Sequence, residues 1–331
     1  MSGLHNNEAE QVWLAPMSGS TDAAFRRQAV RFGAPAVVSE MVAGEALAAA
    51  RPDVVRRTCR HEGRGRWIVQ LAARRPEDME TGAMLLAEAG VDQIDINMGC
   101  PSRQVTGGSS GSALMKEPEL ARAIIDAALR GGAGLPVSLK MRLGWNDDML
   151  NAPDIAQYAE RAGICMLTVH GRTRCQFYKG QADWARIHDT VAAVNIPVIA
   201  NGDIDNVETA RMALEQSGAH GVMIGRAAMG EPWLPGKVAA ELAGDAYVMP
   251  AREVQLHSLL SQIDDSQTLY GDRLGLRIVR KHIAAAIDKL PLDWSSQERR
   301  TIRAAACQMN QASELKDFLS GIYLQERRVA A

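Results

Sequence analysis

Eight short apolar runs recur within the first 226 residues, and most are followed by a segment with helical spacing. The runs are Val12–Met17, Ala36–Met41, Trp67–Leu71, Gln93–Met98, Val137–Leu143, Met166–His170, Pro197–Asp203 and Gly221–Arg226. The clearest helical intervals are Pro76–Ala89, Glu117–Arg130, Pro153–Ala162, Ala182–Val194 and Asn206–Gln216. Pro76, Pro118 and Pro153 fall where a first helical turn tolerates a missing N–H. Gly90, Gly131, Gly163 and Gly218 fall where helices end, because glycine enters the left-handed region without a Cβ penalty. Short strands alternating with helices imply crossover connections and a parallel sheet. Eight such units over roughly 230 residues predict a closed (β/α)8 TIM barrel. A doubly wound open sheet is the alternative. No GxGxxG follows the first run, which counts against its dinucleotide-binding form.

After Ala243 the pattern changes. Helical stretches around Glu253–Tyr270, Leu274–Asp288 and Ser296–Ala312 carry no strand signals. The expectation is a barrel domain over residues 1–243 and a small helical domain over 244–331, divided near Gly244–Pro250.

The run Gln93–Met98 continues into Gly99-Cys100-Pro101. Alternation puts Ile94 and Ile96 on one face and Gln93, Asp95 and Asn97 on the other. Gly99 permits a sharp turn and Pro101 fixes the backbone behind Cys100. The cysteine reads as a residue held out for chemistry, against the plainer reading of a small buried hydrophobe. In a barrel the functional residues lie at the C-terminal ends of the strands. Those ends hold Pro16, Met17 and Ser18; Glu40; Gln70; Asn97 and Cys100; Lys140 and Arg142; His170 and Arg172; Asn201 and Asp203; Gly225 and Arg226. Lys140 and Arg142 share one face of an otherwise apolar strand. A buried cation is costly unless paired, so an anionic ligand is expected beside them; a lysine at a frayed strand end is the plainer alternative. His170 stands on the same rim as Arg172, where a catalytic or binding role competes with a purely structural one. Asn201-Gly202-Asp203 and Gly225-Arg226 occupy the two corners that usually receive a phosphate in such barrels.

Other features bound the reading. The formal net charge is −2, so no global basic field points to a nucleic acid, although a local basic groove remains open. Five scattered cysteines form no CxxC pair, which fits a reducing compartment and no zinc site. Met1 to Gln11 is polar, and no apolar run approaches the ~20 residues that span a bilayer. A cytoplasmic protein with no membrane partner is therefore expected.

The strand ends resemble those of the tRNA-dihydrouridine synthase family, most closely its bacterial B-type branch. The resemblance rests on Leu14-Ala15-Pro16-Met17, Ser39-Glu40-Met41, Val69-Gln70-Leu71, Asp95 to Pro101, Gly111-Ser112-Ala113-Leu114, Val169 to Arg174, Ile199 to Asp203, Met223 to Ala227 and Arg280-Lys281-His282. It implies FMN at the top of the barrel, lined by Pro16, Met17, Ser18, Gln70, Lys140, His170, Asn201, Gly202, Asp203, Gly225 and Arg226. It implies NADPH as reductant, hydride transfer from FMN N5 to C6 of a tRNA uridine, and protonation of C5 by Cys100. A thiol with the ordinary pKa of about 8.5 is protonated at neutral pH and can donate. Asn97 and Arg142 are expected to face the substrate.

For tRNA, residues from Gly244 onward carry 12 Lys and Arg against 11 Asp and Glu, so distribution matters more than total. Arg273, Arg277, Arg280 and Lys281 fall on one helix face, and Arg299, Arg300 and Arg303 form a second cluster. A solvated face is the plain reading. The resemblance makes Arg277, Arg280 and Lys281, with Arg172 and Arg174 at the rim, the expected phosphate contacts. The loop Arg103-Gln104-Val105-Thr106-Gly107-Gly108 departs from the B-type pattern in its basic residues and reads as a lid. A monomer is expected. The competing functions are an FMN barrel oxidoreductase acting on a free small molecule, as a dihydroorotate dehydrogenase does, and a non-catalytic RNA-binding barrel.

Overall fold

The computed structural model describes residues 11–102, 105, 107 and 110–324. The expected loop after Cys100 lies mostly outside them. Among the described residues, nine parallel strands form one sheet: β1 (Val12–Leu14), β2 (Ala36–Val37), β3 (Val42–Ala43), β4 (Ile68–Ala72), β5 (Gln93–Met98), β6 (Val137–Arg142), β7 (Met166–His170), β8 (Val198–Asn201) and β9 (Gly221–Ile224). Their order is β2-β1-β9-β8-β7-β6-β5-β4-β3. The two ends meet. Val38 donates to the carbonyl of Leu14 at 3.3 Å and bridges Ile68, and the Ser39 N–H reaches the Ile68 carbonyl at 3.0 Å. A β/α barrel is the result.

The second expected strand, Ala36–Met41, is broken in two. At its centre, side chains replace the ladder. Ser39 Oγ accepts the Gln70 N–H at 3.0 Å and donates to the Glu40 carbonyl at 2.9 Å, while the Glu40 carboxylate accepts the Gly19 N–H. Such local bonds compete with regular pairing. The chain re-enters the sheet at Val42.

Alternation along the strands builds two apolar layers. Ile94, Ile96, Leu139, Leu167, Val169, Val222 and Ile224 pack outward against the helices. Trp13, Ala36, Val38, Ile68, Met166, Ile199 and Met223 fill the lower interior. The surrounding helices are α1 (Ala23–Arg31), α2 (Gly44–Ala48), α3 (Pro52–Thr58), α4 (Pro76–Glu88), α5 (Pro118–Gly131), α6 (Ala152–Ala162), α7 (His188–Ala192), α8 (Val207–Ser217) and α9 (Leu234–Leu242). The expected helix over Ala182–Val194 shortens to α7 behind a 3-10 turn at Ala185–Ile187. Gly163 and Gly218 end α6 and α8 in the left-handed region, as expected. Gly131 does not. It sits inside α5, where a Cβ would lie 2.2 Å from the Glu80 carbonyl, so its role is close approach of α5 to α4.

The tail comprises α10 (Arg252–Tyr270), α11 (Asp272–Lys289), α12 (Ser296–Gln308) and α13 (Ala312–Tyr323). The expected helix Ser296–Ala312 therefore ends at Gln308, and α13 was not anticipated. A separate apolar cluster holds these helices together through Leu256, Ile263, Val279, Ile283, Leu315 and Leu319. The tail docks on the barrel beside α1. Ser258 Oγ donates to Gln28 Oε1 at 2.9 Å, and the His282 ring lies 4.3 Å from that of Phe25. Among the described residues, no helix is long and apolar enough to cross a membrane.

Candidate functional site

Cys100 sits half-buried at the end of β5, with its backbone fixed on three sides. Asn97 Oδ1 accepts the N–H groups of Gly99 at 3.3 Å and Cys100 at 3.0 Å. The Cys100 carbonyl accepts both the N–H and the hydroxyl of Ser112, at 3.1 and 2.8 Å. Arg142 Nε holds the preceding Gly99 carbonyl at 2.8 Å. Gly111 is required there: its φ is +60°, and a Cβ would meet the Cys100 carbonyl at 2.9 Å. Ser112 had not been assigned a role, although its Gly-Ser-Ala-Leu motif was conspicuous. Asn97 in turn donates to Gln70 Oε1 at 2.7 Å, and Gln70 donates to Asp95 Oδ2 at 2.7 Å.

Strand register brings the other expected residues to the same rim. Asn97 is level with Lys140, Arg142 with His170, and His170 with Asn201. Lys140 is only 8% exposed, and its ammonium donates to Asn201 Oδ1 at 2.9 Å. Asn201 is oriented by its own donation to the Met223 carbonyl at 2.7 Å. Burial pushes Lys140 down to about 8, and the neighbouring Arg142 adds to the shift. Burial also holds His170 well below its ordinary value, reinforced by Arg142, Lys140, Arg172 and Arg226. The imidazole is therefore neutral at pH 7. Thr168 Oγ1, buried on the same inner face, has no hydrogen-bond partner among the described residues.

The two glycine corners meet here. Gly202 takes φ +115°, and a Cβ on it would press to 2.9 Å from His170 Cδ2. Asp203, also at positive φ, accepts from Arg172 at 2.5 Å and from the Ala182 N–H at 2.8 Å, with Arg226 at 3.9 Å. Its carboxylate thus aligns cations and cannot itself hold a phosphate. Gly225 lies beside Met17, whose sulfur would be 3.8 Å from a Cβ there. Pro16 and Met17 are half-buried and Ser18 is exposed at the top of β1. Four cations (Lys140, Arg142, Arg172 and Arg226) thus share the mouth with two rim carboxylates, Asp203 and Glu40. The surplus positive charge fits an anionic ligand, which would offset the cost of burying it.

Two of these cations differ from the expected substrate role. Arg142 is 1% exposed, and its Nε and Nη1 donate to three backbone carbonyls: Gly99, Thr173 at 2.9 Å and Phe177 at 2.8 Å. Burial lowers it to about 10. Arg172 is 2% exposed and holds Asp203 and the carbonyls of Lys179 and Gly180. Both shape the loop after β7. The sequence reading overlooked what that loop carries. Phe177 and Tyr178 are exposed and meet edge-on at 4.8 Å, and Arg226 lies 5.0 Å from the Tyr178 ring. Arg174 is half-exposed and packs over Trp145 at 4.7 Å.

The expected cationic face of the tail is also divided. Arg273 and Arg277 are exposed on α11. Arg280 donates to the Met309 carbonyl and to Asn310 Oδ1, both at 3.0 Å, and so caps α12. Lys281 donates to the Gly19 carbonyl in the loop after β1, and His282 Nε2 donates to that of Ser20 at 3.0 Å. Arg299 reaches four carbonyls at the end of α11, and Arg303 pairs with Asp288 at 2.6 Å.

Comparison with known proteins agrees with this architecture. A family model described as dihydrouridine synthase matches residues 13–324. The chain is 49% identical over 274 residues to a probable tRNA-dihydrouridine synthase of Rhodobacter capsulatus, covering 82% of this chain and 84% of that one. A probable tRNA-dihydrouridine synthase of Rickettsia bellii is 43% identical over 95% of both chains. The tRNA-dihydrouridine synthase B of Xanthomonas axonopodis pv. citri is 42% identical over 83% of both. With a family match from the first strand to the last helix, the chain belongs to the dihydrouridine synthase family.

Proposed function

We propose that the protein is a flavin-dependent oxidoreductase that reduces the C5–C6 double bond of specific uridines in tRNA to 5,6-dihydrouridine. The observation that carries this reading is the Cys100 turn, pinned by Asn97, Ser112 and Arg142 at the edge of a cationic barrel mouth. The cofactor is FMN and the reductant NADPH. When bound, FMN supplies the hydride that goes to C6 of the uracil. The surplus cations fit its phosphate and the negative charge of its reduced ring, and Lys140 and neutral His170 would hold the ring. Gln70, Asn201, Gly202, Gly225, Arg226 and the Pro16-Met17-Ser18 turn complete its surroundings, and Asp203 holds the cations in line.

Cys100 Sγ–H delivers the proton to C5. Asn97 has given one N–H to Gln70 and its oxygen to the Cys100 turn, so its second N–H is the one left for the uracil edge. Residues 1–243 form the catalytic unit. Residues 244–331 hold the tRNA, with Arg273 and Arg277 on α11 and Arg174 at the rim meeting phosphates. The target uridine is extruded from the folded RNA to reach the mouth. The protein acts as a cytoplasmic monomer.

The test is a visible spectrum of the purified protein, then incubation with NADPH and unmodified tRNA and nucleoside mass spectrometry. Bound flavin and new dihydrouridine are expected. Cys100→Ala should retain flavin and tRNA affinity and lose the product. NADPH oxidation without dihydrouridine would instead indicate a small-molecule oxidoreductase. Protein that takes up no FMN would overturn the reading.

A further inference from the structure

The inner face of β5 carries a chain of side-chain hydrogen bonds that the reaction above does not use. From below, Arg66 donates to Gln93 Oε1 at 2.9 Å, Gln93 Nε2 donates to Ser138 Oγ at 2.8 Å, and Ser138 donates to Asp95 Oδ1 at 2.6 Å. From above, the Cys100 N–H donates to Asn97, Asn97 to Gln70, and Gln70 to Asp95. Both legs converge on one carboxylate.

The amide orientations in each leg are chemically forced. A guanidinium has donors only, so Gln93 must turn its oxygen to Arg66 and its NH2 toward Ser138. A backbone N–H is likewise a donor only, so Asn97 must turn its oxygen to Cys100 and its NH2 toward Gln70. Gln70 then presents its own NH2 beneath. The group between the two legs must accept from Gln70, and with the Ser138 hydroxyl donating from below it accepts on both sides, as a carboxylate does. Asp95 is 3% exposed, and a buried carboxylate is costly. Its place here has a reason beyond packing.

The geometry points to Asp95 as a positioning residue that sets the Cys100 turn through the amide orientations of Gln70 and Asn97. Replacing the carboxylate by leucine leaves the Gln70 NH2 with no acceptor beneath it. Gln70 then turns, Asn97 follows, and the Cys100 N–H loses its acceptor. The catalytic consequence rests on Cys100 being the proton donor. The orientation itself does not.

The test measures Cys100 alkylation by iodoacetamide in the purified protein, site by site by peptide mass spectrometry, with exposed Cys175 as internal reference. Alkylation needs neither tRNA nor reductant, so it stands even if the tRNA reading fails. Asp95→Leu removes the acceptor for Gln70 and should change the Cys100 rate about tenfold, the equivalent of one net hydrogen bond. Gln70→Met, which interrupts the same leg and leaves Asp95 in place, should match it and decides the matter if Asp95→Leu does not fold. Asp95→Asn, whose oxygen can stay toward Gln70 while its NH2 turns to the Ser138 hydroxyl, should stay within about twofold of wild type. Ser138→Ala touches only the lower leg and should leave Cys100 unchanged. In turnover, Asp95→Leu should lower kcat with little change in KM for tRNA. An unchanged Cys100 rate in folded Asp95→Leu or Gln70→Met, or a roughly tenfold change in Asp95→Asn, overturns the inference. So does an equal change in Ser138→Ala, which would point to general loosening.

Discussion

Arg142 offers the sharpest discrimination between a structural and a substrate-facing cation. Its guanidinium reaches the carbonyls of Gly99, Thr173 and Phe177 at 2.8–2.9 Å, tying the Cys100 turn to the loop after β7. Charge-assisted bonds contribute roughly 2 kcal/mol each. Against them stands the burial that lowers the group from its ordinary value to about 10, a cost of roughly 3 kcal/mol. The net loss expected for Arg142→Met is about 3 kcal/mol, with Tm falling by roughly 4 °C. Arg142→Lys keeps the charge but not the fork, and should fall between the two. Urea unfolding followed by tryptophan fluorescence measures this directly, with the midpoint moving and the slope unchanged. A loss under about 1 kcal/mol in Arg142→Met would refute the reasoning. The guanidinium would then be free to face a substrate.

Three further outcomes follow from the same geometry. Lys140 has a folded pKa of about 8, below its unfolded value, so its penalty is complete below pH 8. It is relieved as pH rises toward about 10.4, because the unfolded chain then binds the extra proton. Wild type should therefore gain up to about 3 kcal/mol on Lys140→Met between those limits, read from paired urea midpoints at pH 7.5 and pH 10; a constant difference contradicts it. Reversing charge at Arg273 and Arg277 should weaken tRNA binding by about tenfold or more and lower the salt slope by about 2, with flavin content unchanged; filter binding across a salt series decides. Gly19 has φ +71°, and a Cβ there would lie 2.7 Å from Lys281 Nζ, so Gly19→Ala should lose about 1–2 kcal/mol. Amide exchange should quicken in Asp272–Lys289, and unchanged exchange there would show that the lysine is not displaced.

The barrel was legible because its signal is periodic and repeats eight times. The break at Ser39–Glu40 was not, because it arises from hydroxyl and carboxylate bonds to residues on other elements, including Gly19 and Gln70. Gly131 shows the same limit: a glycine after a helical run looks like a terminator until its neighbour at Glu80 is known. Within the site, strand ends revealed Cys100, Lys140 and His170 because chain position alone assigns them to the rim. They did not distinguish cations that hold backbone from cations that face solvent. Arg142 and Arg277 look alike as letters, and only burial and acceptors separate them. Phe177 and Tyr178 escaped notice because they lie in a loop without periodicity.

The grip of Lys281 and His282 on Gly19 and Ser20 bears on how such a protein diversifies. The tail is not an appendage that can be exchanged while the barrel stays constant. Two of its side chains act as clasps on the turn that follows the first strand, the same turn that carries Pro16, Met17 and Ser18. A lineage acquiring a new tail would have to rebuild both clasps at the same time or lose order in that turn. Drift in the tail sequence is therefore coupled to the barrel at positions 281 and 282. Chimeras joined near residue 244 should succeed only when donor and recipient share those clasps.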